Sequence, residues 1–327
     1  MPSRLPSEID VLRHGGPTTW VVASHMNPDC DTLGSAIAMK VLLRAFGHRV
    51  LHLCPDPLPA TYRFLPGSDE VVTELPADWP ADSGLVTLDA ADVSRFGRLT
   101  ERLRGFPLIV VVDHHVSNPR FGHVNLVRED AAATGEVVYR LFRHFGVTPD
   151  REAALGMYAA LVTDTGSFSY EATNAASHEM AADLIRLGVK PAEVSRHLFE
   201  EVPLPELRIK SMGLARMQLT EGGRVAWTTI SQAMLDEVGA EEEHTEGLSE
   251  RLRALQGVEV AFFIRETPYG TLKASLRSKQ WVDVSRLAGK FGGGGHRRAA
   301  GCTLKGSMDE AVAALLEAIR LELQAVL

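Results

Sequence analysis

One imidazole and two carboxylates fall within seven residues, His25-Met26-Asn27-Pro28-Asp29-Cys30-Asp31, directly after an apolar run. Asp89, Asp113-His114-His115 and Asp164 each follow a further apolar segment. Asp and His without Cys make a mixed oxygen and nitrogen donor set. Such a set suits manganese or magnesium and also admits zinc or cobalt. Four carboxylates (Asp29, Asp31, Asp89, Asp164) and two imidazoles are too many for one ion. They fit a pair of divalent cations about 3.5–4 Å apart, the arrangement used to hydrolyse phosphate esters. One carboxylate must then bridge the pair, and Asp89, arriving from a central strand, is the candidate. A hydroxide between two cations is a nucleophile at neutral pH, and the cations offset the charge of phosphoryl oxygens.

Each residue also has a plainer explanation. Asp29 and Asp31 sit on a strand-to-helix turn stiffened by Pro28, where negative charge is favourable in any case, so one of them is explained as an N-cap. A His-His pair is explained by a polar loop. If the pair is functional, adjacent residues leaving a strand diverge, so one imidazole binds metal while the other faces substrate. Asp113 then orients an imidazole from behind.

The elements that must position these groups alternate in type. Residues 18–24, 48–53, 84–88 and 108–112 read as strands, and 31–46, 134–145 and 151–163 as helices. The unbroken apolar strands fit a parallel sheet covered on both faces. The alternation predicts a doubly wound α/β domain. Ligands of such sheets lie beyond the carboxyl ends of the strands. His25, Asp89 and Asp113 each lie just past the last apolar residue of a strand, so separate segments deliver chemistry to one edge. Glu200-Glu201-Val202-Pro203-Leu204-Pro205 interrupts the pattern as a linker or domain edge. Beyond it, residues 207–219 read as a helix and 225–230, 258–265 and 270–277 as strands, with a hairpin turn over 266–270. Residues 232–256 read as helices with solvated faces and 308–327 as an amphipathic helix. This half reads as a smaller α+β domain.

The chain has 327 residues, 45% of them hydrophobic, and a formal net charge of −8 at pH 7, enough for two cores but without the basic excess of a protein living on long duplex nucleic acid. The three cysteines, Cys30, Cys54 and Cys302, are widely spaced and form no CxxC pair, which fits a reducing cytoplasm. The first residues lack the apolar core of a signal peptide, and no run approaches the ~18 apolar residues of a membrane span. The tryptophans and tyrosines form no basic–aromatic stripe, so a cleft taking a few nucleotides is favoured over a long single-strand channel. The apolar face of 134–145 offers either a core helix or a homodimer surface.

In the second half, Gly292-Gly293-Gly294-Gly295 is either a flexible linker or an anion cradle. Glycines let backbone N–H groups approach an anion closely, and His296 with an arginine would complete the grip. Arg277-Ser278, ending a strand, is a second candidate beside an ordinary strand end.

As a set, His25-x-Asn27-Pro28-Asp29-x-Asp31, Leu88-Asp89-Ala90, Asp113-His114-His115 and Thr163-Asp164-Thr165-Gly166 resemble the successive motifs of the DHH phosphoesterase superfamily. Gly292 to His296 followed by Ala299-Ala300-Gly301 resembles the signature of its DHHA1 C-terminal domain. The similarity covers roughly residues 18–304, and motif order and chain length resemble the nano-RNase type, described as oligoribonucleases and 3′-phosphoadenosine-5′-phosphate (pAp) phosphatases. The resemblance implies a DHH domain over 1–196, a linker over 197–208 and a DHHA1 domain over 209–327, with a cleft between them. It implies one metal on His25, Asp29 and Asp89, and a second on Asp31, Asp89, His114 and Asp164. His115 would contact the scissile phosphate and act as general acid, with Asp113 and Asn27 supporting the site from behind. Arg277, Ser278, Gly294, Gly295, His296 and Arg298 would hold substrate: short single-stranded RNA, dinucleotides such as pApA or pGpG, or pAp. Cys30 stands where such motifs often carry glycine; its side chain should point away, and its thiol would make the site sensitive to oxidation. The competing readings are a manganese-dependent pyrophosphatase, a cyclic-dinucleotide phosphodiesterase and a catalytically silent nucleotide-binding regulator. Pyrophosphate needs a denser cluster of lysines and arginines, cyclic-dinucleotide enzymes of the regulatory class carry sensory segments, and a silent regulator would have lost a ligand.

Overall fold

The computed structural model describes residues 5–326. The chain divides into two compact units between Glu201 and Val202.

The first unit is built on five parallel strands: β1 (Thr19–Ala23), β2 (Arg49–Leu53), β3 (Gly84–Leu88), β4 (Leu108–Asp113) and β5 (Val124–Val127). Their order is β2-β1-β3-β4-β5. The chain turns back on itself between β1 and β3, which makes a topological switch point, the place where open α/β sheets bind ligands. Alternate residues of each strand feed two cores, which is why the strands read as unbroken apolar runs. Trp20, Val22, Val110 and Val112 pack against helices Cys30–Ala45, Thr134–Phe145 and Arg151–Asp164. Val21, Ala23, Ile109 and Val111 pack on the other face, against Phe96, Leu99 and Leu103. Both faces are therefore covered, as a doubly wound sheet requires.

Helices Cys30–Ala45 and Arg151–Asp164 cross at two glycines. A Cβ on Gly34 would lie 2.2 Å from the Gly156 carbonyl oxygen, so only hydrogen permits this approach. The crossing sets the first turn of one helix, with Asp31, beside the last turn of the other, with Asp164. Helix Thr134–Phe145 spends its apolar face, Val137, Val138, Leu141 and Phe142, on the core. That face is thus not a dimer surface. Several elements escaped the sequence reading, β5 and helix Ala175–Arg186 among them. β5 is a four-residue edge strand too short to show a pattern. Helix Ala175–Arg186 did carry a signal, the Asn174/Ser177 capping box.

The second unit holds six strands: β6 (Gln218–Thr220), β7 (Val225–Ile230), β8 (Val260–Glu266), β9 (Leu272–Ser278), β10 (Gly294–His296) and β11 (Ala299–Leu304). Their order is β10-β11-β9-β8-β7-β6, with β7 and β8 parallel and the other pairs antiparallel. Helix Met308–Val326 covers the sheet through Ala311, Leu315, Ile319 and Leu323, one residue per turn. The helix expected over 207–219 spans Leu204–Ala215, because Gln218–Thr220 pairs with β7 across a turn in which Gly222 and Gly223 take φ 67° and 86°. The helical stretch expected over 232–256 is broken by left-handed Gly239 and Gly247 into helices Gln232–Val238 and Leu248–Arg253 with a 3-10 turn between them. The Gly-rich segment is partly strand. Gly294–His296 forms the sheet edge, and the backbones at Gly293 and Gly295 run too close to β11 for any Cβ.

Candidate metal centre

The turn after β1 carries His25, Asn27 and Asp29. Asp29 is both N-cap and site residue. Its Oδ1 accepts from the Thr32 amide at 3.0 Å, while Oδ2 lies 3.7 Å from His25 Nε2. His25 Nδ1 donates to the Met26 carbonyl at 2.8 Å, which leaves Nε2 facing the carboxylates. His114 repeats the device, with Nδ1 3.3 Å from the Ala131 carbonyl oxygen and Nε2 toward Asp31 (3.8 Å), Asp89 (3.5 Å) and Asp164 (3.4 Å). Anchoring one ring nitrogen on a carbonyl is how metal-binding histidines are oriented.

Asp89 stands between the two groups. Its Oδ2 lies 3.7 Å from His25 Nε2 and its Oδ1 3.5 Å from His114 Nε2. It leaves β3 with a left-handed φ of 56°, its amide donating to the Val112 carbonyl at 3.1 Å. A non-glycine residue held there is strained, as residues at functional sites often are. His25, Asp29 and Asp89 place ligand atoms within 4.8 Å of one another, and so do Asp31, His114 and Asp164.

The second imidazole of the pair does something else. His115 Nδ1 donates to Asp113 Oδ1 at 2.7 Å, and Asp113 is fixed in turn by the His114 amide (2.8 Å) and by Asn118 Nδ2 (2.6 Å). Burial pulls the His115 pKa down, but the Asp113 hydrogen bond and the charges of Asp89, Asp113 and Asp31 outweigh it and raise it to about 9. For His25, burial is likewise outweighed, by Asp29 and Asp89, and the pKa rises to about 10. Burial, with the charges of the neighbouring acids, pushes Asp31 and Asp164 well above the carboxylate range. The cluster thus holds more negative charge than a buried site tolerates, and it draws protons where cations would serve. Hard oxygen and nitrogen donors with uncompensated charge fit divalent metal ions.

The start of helix Thr134–Phe145 contributes what the sequence reading missed. The Thr134 and Gly135 amides donate to the two oxygens of Asp31 at 2.6 and 2.9 Å, and Thr134 Oγ1 donates to Asp89 Oδ1 at 2.9 Å. Ser35 Oγ adds a third donor to Asp31 at 3.0 Å. A threonine opening a helix is the signal available in sequence, but it reads as an ordinary helix start. Asn118 and Arg95, whose Nη2 lies 3.1 Å from His25 Nδ1, gave no signal by spacing.

The remaining predicted residues are engaged within their own units as follows. Asn27 is exposed, with φ 48°, and its amide donates to Asp56 Oδ2 at 2.7 Å, so it shapes the turn. Cys30 is fully buried beneath the turn, and burial with the nearby carboxylates raises its pKa. A buried, protonated thiol is a poor target for oxidants, which corrects the expected oxidation sensitivity. In the second unit, Arg277 Nε donates to Glu250 Oε1 at 2.8 Å. Ser278 is fully buried, and its hydroxyl donates to the Val282 carbonyl at 2.7 Å, bracing the following turn. Arg298 holds the same turn through the carbonyls of Val282 and Gln280. Gly294, Gly295 and His296 are exposed on β10.

A switch-point cluster of acids and imidazoles on a doubly wound sheet, followed by a mixed-sheet unit with a Gly-rich edge strand, defines a two-domain phosphoesterase. The DHH family N-terminal domain matches residues 19–162 and the DHHA1 domain matches residues 224–325. The chain belongs to the DHH family, whose phosphoesterases depend on divalent metals. It is 34% identical, over 92% of its length and 89% of the relative's, to the bifunctional oligoribonuclease and PAP phosphatase NrnA of Thermus thermophilus. It is 27% identical, over 90% and 91%, to the protein of the same name in Bacillus subtilis. The crystal structure of an exopolyphosphatase-related protein from Bacteroides fragilis superposes with a TM-score of 0.87 at 24% identity, covering 96% of this chain and 94% of that one, and shares the fold.

Proposed function

We propose that this protein hydrolyses short oligoribonucleotides, including linear dinucleotides such as pApA and pGpG, to mononucleotides, and removes the 3′-phosphate of pAp to give AMP. The activities for which the relatives are named support this reading, and one observation in the site carries it. The two oxygens of Asp89 face two different histidine–carboxylate groups. That is the placement a bridging carboxylate needs in a two-cation site.

In this reading His25, Asp29 and Asp89 hold one divalent cation, and Asp31, Asp89, His114 and Asp164 hold the other. Manganese is favoured, with magnesium, cobalt and zinc as alternatives. When bound, the cations would lower the pKa of water and offset charge on the phosphoryl oxygens. Asp113 keeps His115 protonated, so its Nε2–H is the acid that meets the leaving oxygen. Arg277, Gly294, Gly295, His296 and Arg298 supply contacts to the rest of the substrate, with Ser278 bracing them. Three buried, unpaired cysteines accord with a cytoplasmic protein. Among the described residues no helix is long and apolar enough to cross a membrane.

The test is a competition of pApA, pAp and pyrophosphate in one manganese-containing reaction, followed by anion-exchange chromatography. AMP should form from the first two, inorganic phosphate from pAp, and Asp89→Ala should abolish both. Preferential turnover of pyrophosphate would overturn the substrate assignment.

A further inference from the structure

Six residues beyond Asp89 a guanidinium, that of Arg95, stands beside the cluster. Arg95 lies in the helical segment Val93–Leu99, which Asp92 caps through the Ser94 amide at 2.8 Å. Its own carbonyl accepts from the Met26 amide at 2.8 Å, so the backbone that shapes the His25–Asp29 turn also places Arg95. The half-buried side chain brings Nη2 to 3.1 Å from His25 Nδ1 and 3.4 Å from Nε2. Neither nitrogen is an available acceptor, because Nδ1 gives its proton to the Met26 carbonyl and Nε2 faces Asp29 and Asp89. Among the described residues, no carboxylate lies within ion-pair distance of Arg95, and no carbonyl oxygen accepts from its side chain. The neighbouring arginines differ. Arg98 is engaged with Glu74 and with the carbonyls of Pro55 and Thr73, and Arg102 with the carbonyls of Leu75 and Pro76.

A guanidinium offers five N–H donors in a planar fork that matches phosphate oxygens. Here the fork is unspent and stands beside the cluster. Two divalent cations would cancel the four carboxylates in net charge, so the cluster as a whole would carry no positive excess for an anionic substrate, and Arg95 is a permanent cation in place. We infer that Arg95 is a catalytic residue: its guanidinium binds a non-bridging oxygen of the phosphoryl group being hydrolysed. It gains and loses no proton in the step. This rests on the phosphoesterase reading above. The rival role is a structural prop for the His25 ring.

The experiment compares wild type, Arg95→Ala and Arg95→Lys as metal-loaded enzymes on pApA, pAp and bis(p-nitrophenyl) phosphate. Metal content and the Kd of inorganic phosphate are measured alongside. For Arg95→Ala, kcat should fall about 10²–10³-fold on all three substrates, the loss typical of removing one transition-state donor. Metal content should stay unchanged, phosphate binding should weaken, and added guanidinium should restore part of the rate. Arg95→Lys, which keeps the charge and the stem but not the fork, should lose about tenfold, and it carries the test if the alanine variant does not fold. A kcat within threefold of wild type, or a loss explained by missing metal with phosphate binding intact, overturns the inference. If wild type cleaves bis(p-nitrophenyl) phosphate in an Arg95-dependent way but neither nucleotide, the substrate reading fails and this inference stands.

Discussion

Replacing Asp113 by Asn tests the proposal that this carboxylate keeps His115 protonated as the acid. The amide oxygen can still accept from His115 Nδ1 and from the His114 amide, so the contacts at 2.7 and 2.8 Å keep their geometry while the charge is lost. The amide nitrogen would then face Asn118 Nδ2, now 2.6 Å from Asp113 Oδ2, and that donor must turn away. The charges of Asp89 and Asp31, which also raise the His115 pKa, are the part that bound cations neutralise. The Asp113 carboxylate faces His115 and remains. From the metal-free value of about 9, a fall to the ordinary 6.5 would cut the protonated fraction at pH 8 from about nine-tenths to about one-thirtieth, so roughly 30-fold is the ceiling on the loss of acid in the metal-loaded enzyme. The same variant at pH 5.5 should keep nearly full protonation. The assay is the pH profile of kcat/KM from pH 5.5 to 10 on pAp, where leaving-group protonation matters. The basic limb of the Asp113→Asn profile should move down by more than one unit, with unchanged metal content. A limb that stays in place while the whole profile drops uniformly would refute the role given to the pair.

Two further outcomes follow from the same charges. In the metal-free protein His25 and His115 carry pKa values raised to about 10 and 9, so their contribution to stability is complete below pH 6.5 and is lost as pH rises through those values. Asp31 and Asp164, also raised, act in the same direction. The Tm of the metal-free protein should therefore fall between pH 7 and 10, and manganese should raise and flatten it, stabilising the fold by about 3–4 kcal/mol at a few hundred to a thousand times Kd. Chelation should reverse the gain, and a metal-free Tm that is flat across this window would refute the charge argument. Thr134→Val removes the hydroxyl that donates to Asp89 Oδ1 at 2.9 Å but keeps the amide that donates to Asp31. Manganese affinity, measured by calorimetry, should weaken about 10–100-fold with little change in Tm, and unaltered affinity would show that Asp89 is oriented by other contacts.

The sheet of the first unit was legible because its strands are buried on both faces and therefore read as aliphatic runs. The residues just past them were legible because a carboxylate or imidazole after such a run has few structural reasons to be there. Boundaries failed where tertiary pairing overrode local preference. Residues 218–220 leave a helical pattern to pair with β7, and the glycines that read as either a flexible linker or an anion cradle run along β11, two of them because no side chain fits. Ser278 read as a substrate contact only through the family resemblance, and its hydroxyl is engaged by the Val282 carbonyl.

From its residues alone this chain determined the donor types, their position at strand ends and the class of ion they suit, because these follow from side-chain chemistry and periodicity. Which oxygen of Asp89 faces which histidine was decided only in three dimensions. So were the ring nitrogens turned to carbonyls, the helix-start amides that hold Asp31 and the arginine that stands unspent beside His25. These depend on groups brought together across long stretches of chain by sheet order and by a glycine-tight helix crossing, and several of them are backbone N–H and C=O groups that every residue carries.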